Sequence, residues 1–285
     1  MKDIDELLNK TLAANDKVNK NLKESILARA SKYEKTKTQT VPFISFQFRI
    51  NLALVILLIL SAAAFAVWKI RTSREVAEHF EDKTLATAFD SENAWIGNEV
   101  QEYGGYKVSL IGLVSGKEIS DHLVTSNGSV IREGSYAVVT IEHSDGTPMP
   151  DTMDDAYDNE MFLVSPYIEG LDPQWFNIFS FGGGGYSAFV ENGIQYRLVH
   201  MANVEPFADR TIYLGVSDGV FFNRDAYHFD EQSGKILRNE DYTGLNALFI
   251  LPIDPQKSDT QRAKELLYKA DPIKASDILE KIDAK

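Results

Sequence analysis

An almost unbroken apolar run, from position 50 to 68, stands out in a chain that otherwise mixes polar and apolar positions. It reads INLALVILLILSAAAFAVW, with Arg49 before it and Lys69 after it. As a helix rising about 1.5 Å per residue, it would be about 28 Å long, close to the thickness of a bilayer's hydrocarbon core. Trp68 lies where interfacial aromatic side chains are favoured. The pattern predicts one transmembrane helix at 50–68.

A cleaved signal peptide and a buried helix of a soluble domain are two other interpretations of this run. Ala64 and Ala66 have the small-x-small spacing of a cleavage site, but the 49 residues before the run far exceed the short segment that begins a signal peptide. A helix buried in a soluble domain normally keeps a polar stripe, and from Leu52 to Trp68 only Ser61 is polar. We therefore predict an uncleaved anchor.

Residues 1–49 carry a helical pattern of their own. At about 100° per residue, the apolar positions of this tail fall on one narrow side, namely Ile4, Leu8, Leu12, Leu22 and Ile26. So short a segment has no core of its own, and the stripe has to be covered by something else. We predict a docking helix for a cytosolic partner, with contacts through Leu8, Leu12, Leu22 and Ile26. A solvated helix and a helix lying on the inner leaflet remain open.

Residues 69–102 are expected to form a juxtamembrane helix or stalk. From Arg74 to about Val100, apolar residues that include Trp95 and Ile96 recur among charged ones. This helix would either extend as a stalk or pack on the domain that follows.

From Tyr103 the pattern changes to short β-branched and aromatic runs separated by turn residues. Strands are predicted near 108–114, 136–143, 161–168, 187–190, 194–201, 211–216, 220–222, 227–229, 236–238 and 247–253. Asn192-Gly193 is a strong hairpin signal, and Pro166 indicates an edge strand or a bend. The turn signal at 217–219 predicts a second hairpin, between the strands at 211–216 and 220–222. The fold class is mainly β: an antiparallel sandwich or barrel-like domain at 103–255, followed by helices at 256–285 that open on a capping box of Ser258 and Gln261.

Charge is unevenly distributed along the chain, whose net value is −13. Residues 1–49 hold 10 basic and 6 acidic residues, a net of +4, and the other 19 basic and 36 acidic residues give −17. So acidic a domain repels nucleic acid, which argues against direct DNA or RNA binding. The charges beside the run are nearly balanced. The basic tail and the N-terminal position of the anchor favour a single-pass membrane protein with a cytoplasmic tail and an extracytoplasmic domain.

Candidate chemistry is sparse. The chain has no Cys, which excludes disulfides and thiolate zinc sites. The acidic stretch 151–160 is either a solvated loop or a calcium site, although its spacing does not match an EF-hand. The glycines 182–185 precede a predicted strand rather than a helix, which disfavours phosphate binding. The five histidines show no close ligand pairing, and Ser187 lacks a nucleophile-elbow context. We expect no enzyme activity, no metal and no cofactor.

Aromatic residues and glycines are combined from Trp175 to Tyr186, which is typical of a carbohydrate- or protein-binding loop. Ordinary core and loop packing is the other interpretation of these aromatic residues.

The outer domain resembles a family of single-pass proteins of Gram-positive bacteria with an extracytoplasmic β domain of unknown function, anti-sigma-factor-like partners of extracytoplasmic-function sigma factors. The matching stretches are YGGYKVSLIGLVSG, YAVVTIEHSDGTPMPD, FLVSPYIEGL, GGGGYSAFVENGIQYRLV, FADRTIYLGVSDG and AYHFDEQSGKI, within 103–253. The resemblance implies a tail that holds a cytosolic sigma factor and an outer domain that senses the envelope. The zinc-bearing anti-sigma site is excluded, because the chain has no Cys.

Two functions follow as hypotheses. The first is a membrane-anchored regulatory protein with an inner docking tail and an outer sensing domain. The alternative is a non-signalling envelope protein whose outer β domain binds a glycan, a peptide or a protein. The partners expected are membrane lipid, a cytosolic sigma factor and an unidentified extracytoplasmic ligand.

Overall fold

The computed structural model describes residues 70–122, 124–126, 128–182 and 184–283. The predicted transmembrane helix at 50–68 and the predicted tail contacts Leu8, Leu12, Leu22 and Ile26 lie outside the described residues. Within the described ranges, no helix is both long and apolar enough to cross a membrane.

Four helices and twelve strands make up the described part of the chain. In chain order they are α1 (Ser73–His79), α2 (Lys83–Phe89), β1 (Trp95–Tyr103), β2 (Tyr106–Lys117), β3 (Val124–Ser126), β4 (Ser129–Ile131), β5 (Glu133–His143), β6 (Phe162–Ile168), β7 (Gly185–Glu191), β8 (Ile194–Met201), β9 (Ile212–Asp218), β10 (Tyr227–Phe229), β11 (Ile236–Arg238), β12 (Asn246–Ile250), α3 (Thr260–Ala270) and α4 (Pro272–Asp283). Short 3₁₀ helices cover Asp155–Asn159, Glu205–Phe207 and Pro255–Lys257. The prediction of a mainly β chain with antiparallel sheets and a few helices is confirmed.

The larger sheet has five antiparallel strands in the order β1-β2-β5-β8-β7. Its β7–β8 hairpin turns at Asn192 and Gly193, which have φ values of 56° and 78°. Positive φ at both central residues is what a type I′ turn requires, and Asn-Gly supplies it. The hairpin predicted from these two residues is therefore confirmed.

The smaller sheet has three antiparallel strands in the order β12-β9-β6. One apolar cluster takes side chains from both sheets, such as Val139 and Val199 from the larger and Leu214 and Phe249 from the smaller. The edge position predicted for the strand that contains Pro166 is confirmed, since β6 is an outer strand of this sheet.

The helix predicted from Arg74 to about Val100 is wrong beyond Phe89. Thr72 and Glu75 form a reciprocal capping box at the start of α1, and the Asp82 side chain caps α2. Both helices pack on the outer face of the larger sheet, where they share a second apolar cluster with β2, β5, β7 and β8. Residues from Trp95 onward form β1 instead. β1 is an outer strand with an exposed face, so its sequence mixes charged and apolar residues as a surface helix does. Its pairing with β2 makes it a strand instead.

The hairpin predicted between 211–216 and 220–222 is also wrong. β9 continues through Asp218 and lies between β6 and β12, so both of its edges are occupied. The Tyr242 hydroxyl donates to Asp218 Oδ1 at 2.6 Å, which ties the end of β9 to a later loop. The turn signal at 217–219 therefore ends a central strand rather than reversing it.

The last two helices follow the prediction with one change at the first cap. Asp259, rather than Ser258, caps α3, because its side chain accepts a hydrogen bond from the Arg262 backbone N–H at 2.9 Å. Ala263 and Leu267 of α3 and Ala275 of α4 join the cluster between the sheets.

Arg71 is bound to the end of β7 by two hydrogen bonds of 2.6 Å to the Glu191 carboxylate. Hydrogen bonding to Arg71 lowers the pKa of Glu191 from its ordinary value of 4.5. A lowered pKa in the folded state means that the pair stabilises the fold above pH 4.5 and that this contribution is lost as the pH falls through the lower value.

Glu191→Gln is therefore expected to cost at most about 1 kcal/mol near neutral pH, since both side chains are about one-third exposed. Its unfolding free energy should converge with that of the unchanged protein as the medium becomes acidic. Urea titrations at several pH values measure this. Glu231→Gln, on an exposed side chain, is the matched control, and a pH-independent gap would contradict the assignment.

Candidate functional site

Three exposed aromatic side chains on two hydrogen-bonded segments are together called the aromatic surface: Trp175, Phe179 and Phe221. Their exposed fractions are 45%, 56% and 70%. Phe179 and Phe221 come from segments 42 positions apart, yet their ring centroids are 5.9 Å apart. The surface is therefore created by folding, and part of it lies within the aromatic run 175–186 noted in the sequence.

The segment that carries Trp175 and Phe179 is held in place by neighbouring side chains that point into the core. Phe176, Ile178 and Phe181 are buried in the cluster between the sheets. Because three residues of this segment are buried in the core, the Trp175 and Phe179 rings face away from it. The aromatic run therefore contains both buried packing residues and exposed residues, so each of the two interpretations made from the sequence applies to part of it.

Asn177 organises the turns of this segment. Its amide nitrogen donates to Pro173 O at 2.9 Å, and its side-chain oxygen accepts from the Phe179 backbone N–H at 3.0 Å. The Ile178 backbone N–H donates to Ser165 Oγ of β6 at 3.0 Å. These bonds place Phe179 on a supported turn rather than on a loose loop.

Phe221 lies in the segment after β9, which is joined to the same turns. Arg224 donates to the Gln174 side-chain oxygen, one residue before Trp175. Asn223 donates to the Tyr242 hydroxyl at 2.9 Å. The Arg224–Gln174 hydrogen bond therefore links the two segments that present Phe179 and Phe221 directly.

Trp175 contacts α4. Lys274 Nζ lies 3.9 Å from the Trp175 ring centroid, a cation–π contact that covers one face of the indole. Ile273, beside it on the same helix, is also exposed.

The extent of this exposure argues for a binding role. Aromatic side chains bury about 150–250 Å² each, so the three rings expose on the order of 350 Å² at these fractions. The two rings in contact, Phe179 and Phe221, account for on the order of 250 Å² of this area, and exposed apolar patches of a few hundred Å² are often functional. The aromatic surface, with Gln174, Arg224 and Lys274 beside it, has the mixture of ring faces and polar groups typical of a recognition site.

A buried cation lies beneath Tyr186, the last aromatic residue of the run. Arg197 of β8 is fully buried, its Nη1 donates to Phe162 O at 2.6 Å, and its Nε donates to Gln195 Oε1 at 2.7 Å. The guanidinium carbon is 4.3 Å from the Tyr186 ring centroid. Burial lowers the pKa of Arg197, and Tyr186 and Tyr157 oppose this shift. Arg197 fixes the half-exposed Tyr186 ring from below.

Two adjoining cavities of about 450 and 280 Å³ lie on the helix side of the larger sheet and share Ser120, His122, Tyr136 and His200. The Ser120 hydroxyl donates to Asp82, whose carboxylate also accepts from the Leu85 backbone N–H. Burial raises the pKa of Tyr136. Because Asp82 and Ser120 already join the helices to the sheet, this cleft is a weaker candidate for ligand recognition than the aromatic surface.

The other sequence candidates do not converge on a site. In the acidic stretch, Asp155–Asn159 form a 3₁₀ helix, and Glu160 instead lies 3.0 Å from His143 Nε2. Among the residues that the structure describes, no three His, Asp or Glu side chains come together as metal ligands. Gly185 opens β7, so the glycines lead into a strand, as predicted.

Searches against protein-family models, curated proteins and solved structures find no match to this chain.

Two members of the site region escape sequence reasoning. The sequence predicts a strand at Phe221. Its ring contact with Phe179 depends on the packing of two segments that are distant in sequence. Arg197 lies within an otherwise apolar strand, and arginine is seldom fully buried. No local feature of the sequence therefore predicts that its side chain is buried.

Proposed function

We propose that this chain is a membrane-anchored regulatory protein, anti-sigma-factor-like, whose outer domain recognises an envelope ligand through the aromatic surface. The observation that carries the recognition role is the set of three exposed aromatic rings on supported turns. The anchor at 50–68 and the location in the cell membrane, with the tail inside and the domain outside, rest on the sequence pattern. An antiparallel sandwich is the finer fold that we infer, supported by the apolar cluster that both sheets share.

The regulatory part of the proposal depends on the tail. Its stripe suits a helix that docks on a cytosolic sigma factor, and ligand binding outside would change that interaction. Leu8→Asp combined with Leu22→Asp in the full chain should abolish co-purification with the sigma factor and alter sigma-dependent transcription. Ala13→Asp with Ala28→Asp adds the same charge on the opposite side of the helical projection and should do neither. Unchanged sigma activity in the stripe variant would refute docking.

The recognition part is tested with the full chain in nanodiscs and envelopes of the cell that makes it. Phe179→Ser combined with Phe221→Ser is expected to weaken binding to envelopes more than tenfold, since central aromatic residues dominate interface energies. Leu237→Ser with Ile250→Ser removes two exposed apolar side chains elsewhere and is the matched control. Equal binding by both variants would contradict the proposal, because binding would then occur through another surface of the domain.

A further inference from the structure

β7 is an outer strand of the larger sheet, and it lacks the features that normally prevent an edge strand from pairing with another chain. Such features are lysine or proline on the strand, a β-bulge, or cover by other groups of the protein. The strand Gly185–Glu191 contains neither lysine nor proline, and it pairs with β8 over its whole length without a bulge. Tyr186 and Ser187 are exposed.

The other outer strands of the two sheets are protected. β1 has a bulge between Ile96 and Glu99, and its Gln101 side chain bonds the N–H and C=O groups of Leu248 in β12. β6 contains Pro166 and is buried along its length. β7 therefore differs from the other outer strands of the sheets that the structure describes.

The turn of the β7–β8 hairpin determines which main-chain groups of β7 point outward. In a two-residue hairpin, the residues that flank the turn, here Glu191 and Ile194, exchange both hydrogen bonds. Because bonded and non-bonded positions alternate, the N–H and C=O groups of Tyr186, Ala188 and Val190 point away from β8. Within the part of the chain that the structure describes, no other main-chain group bonds them.

The strand complements itself when two copies run antiparallel about Ala188. Ala188 then lies opposite Ala188, Tyr186 opposite Val190, and Gly185 opposite Glu191. The outward-facing groups of the two copies meet one another, which gives about six main-chain hydrogen bonds. A shift of this register by one residue would place outward groups opposite groups that already bond β8.

The side chains fit the same register. Tyr186 and Val190 form an aromatic–β-branched pair, which is a favourable cross-strand combination, and the small Ala188 side chains meet at the symmetry axis. The one charged residue of β7 is Glu191, which is already paired with Arg71 and would face a glycine. No like charges are therefore placed opposite each other along the paired strands.

We infer that β7 is the site at which two copies of this chain associate, by antiparallel pairing of Gly185–Glu191 with the same strand of the second copy. The pairing joins the larger sheets of the two copies into one continuous sheet. It depends neither on the aromatic surface nor on the proposed recognition role.

The first test uses the absence of cysteine from the chain. In the paired strands, the two Ala188 Cα atoms would be about 5.5 Å apart, within the range of about 4.4–6.8 Å that a disulfide spans. The full chain with Ala188→Cys, in producing cells treated with a mild oxidant, is therefore expected to form a disulfide-linked dimer.

Val190→Cys is the matched control on the same strand. Its Cα would lie about 14 Å from its counterpart, so it should form at least about tenfold less dimer. Equal cross-linking of the two variants, or no dimer from either, overturns the inference. A product that joins the Ala188→Cys variant to a different protein in place of the dimer, identified by mass spectrometry, overturns the assignment to a second copy.

Hydrogen exchange of the unsubstituted full chain in detergent is a second measurement, which needs no cysteine. At high protein concentration, the amides of Tyr186, Ala188 and Val190 should exchange at least about tenfold more slowly than in an unstructured peptide, and dilution should accelerate them. The amides of Ser187 and Phe189, which already bond β8, should respond less to dilution. Exchange of the three outward amides near the peptide rate at every concentration overturns the inference.

Discussion

Replacing Arg197 with alanine is expected to lower the free energy of unfolding by about 3–5 kcal/mol. The substitution empties the volume of one of the largest fully buried side chains. It also leaves Phe162 O and Gln195 Oε1 without the donors that Arg197 supplies. A buried acceptor without a donor costs about 1–3 kcal/mol, and the cavity adds to this cost.

Arg197→Met separates the two contributions. Methionine fills much of the same space and removes a charge that is buried without a carboxylate in contact. Its cost should be about half that of alanine or less. Urea unfolding followed by circular dichroism measures both variants. A cost below about 1 kcal/mol for alanine would show that the guanidinium is not a structural support of the β6–β8 junction.

Gly215→Ala is expected to cost about 2–3 kcal/mol, the second-largest effect. Gly215 lies in β9, the central strand of the smaller sheet, and a Cβ there would stand 2.2 Å from Tyr167 Cε2. Tyr167 cannot move aside easily, because it is fully buried with edge contacts to the rings of Phe222 and Tyr227 at 5.7 and 5.5 Å.

Gly185→Ala is the matched control for Gly215→Ala, since a Cβ at Gly185 meets no atom within 4 Å. It should change the unfolding free energy by less than about 1 kcal/mol. Thermal unfolding of the two variants side by side gives the comparison. Equal stability of both would mean that the Tyr167 ring does not lie over Gly215 in solution.

Strand prediction succeeded where local chemistry decides the structure. The β7–β8 hairpin follows from Asn192-Gly193, and β5 follows from a dense β-branched run. It failed where distant pairing decides. β1 has a charged, partly exposed sequence, and it pairs with β2. The Gln101 side-chain amide also links it to β12, because its nitrogen donates to Leu248 O and its oxygen accepts from the Leu248 backbone N–H. No local pattern in residues 95–103 reports those partners.

The candidate site was predictable in the same uneven way. Trp175 and Phe179 belong to a run whose composition indicated a binding loop, but their spacing could not separate them from the buried Phe176 and Phe181. That separation depends on which side of the turn faces the core. Phe221 joins the surface only through the fold, because it contacts Phe179 across the gap between two segments.

The central claim is that Trp175, Phe179 and Phe221 are covered by a ligand in the envelope. Hydroxyl-radical footprinting, read out by mass spectrometry, compares the full chain in its native envelope with the purified chain in nanodiscs. We expect oxidation of these three residues to fall several-fold in the envelope, while the exposed Leu237 and Ile250 are oxidised equally in both preparations. Equal oxidation of the three aromatic residues in the two preparations would contradict it.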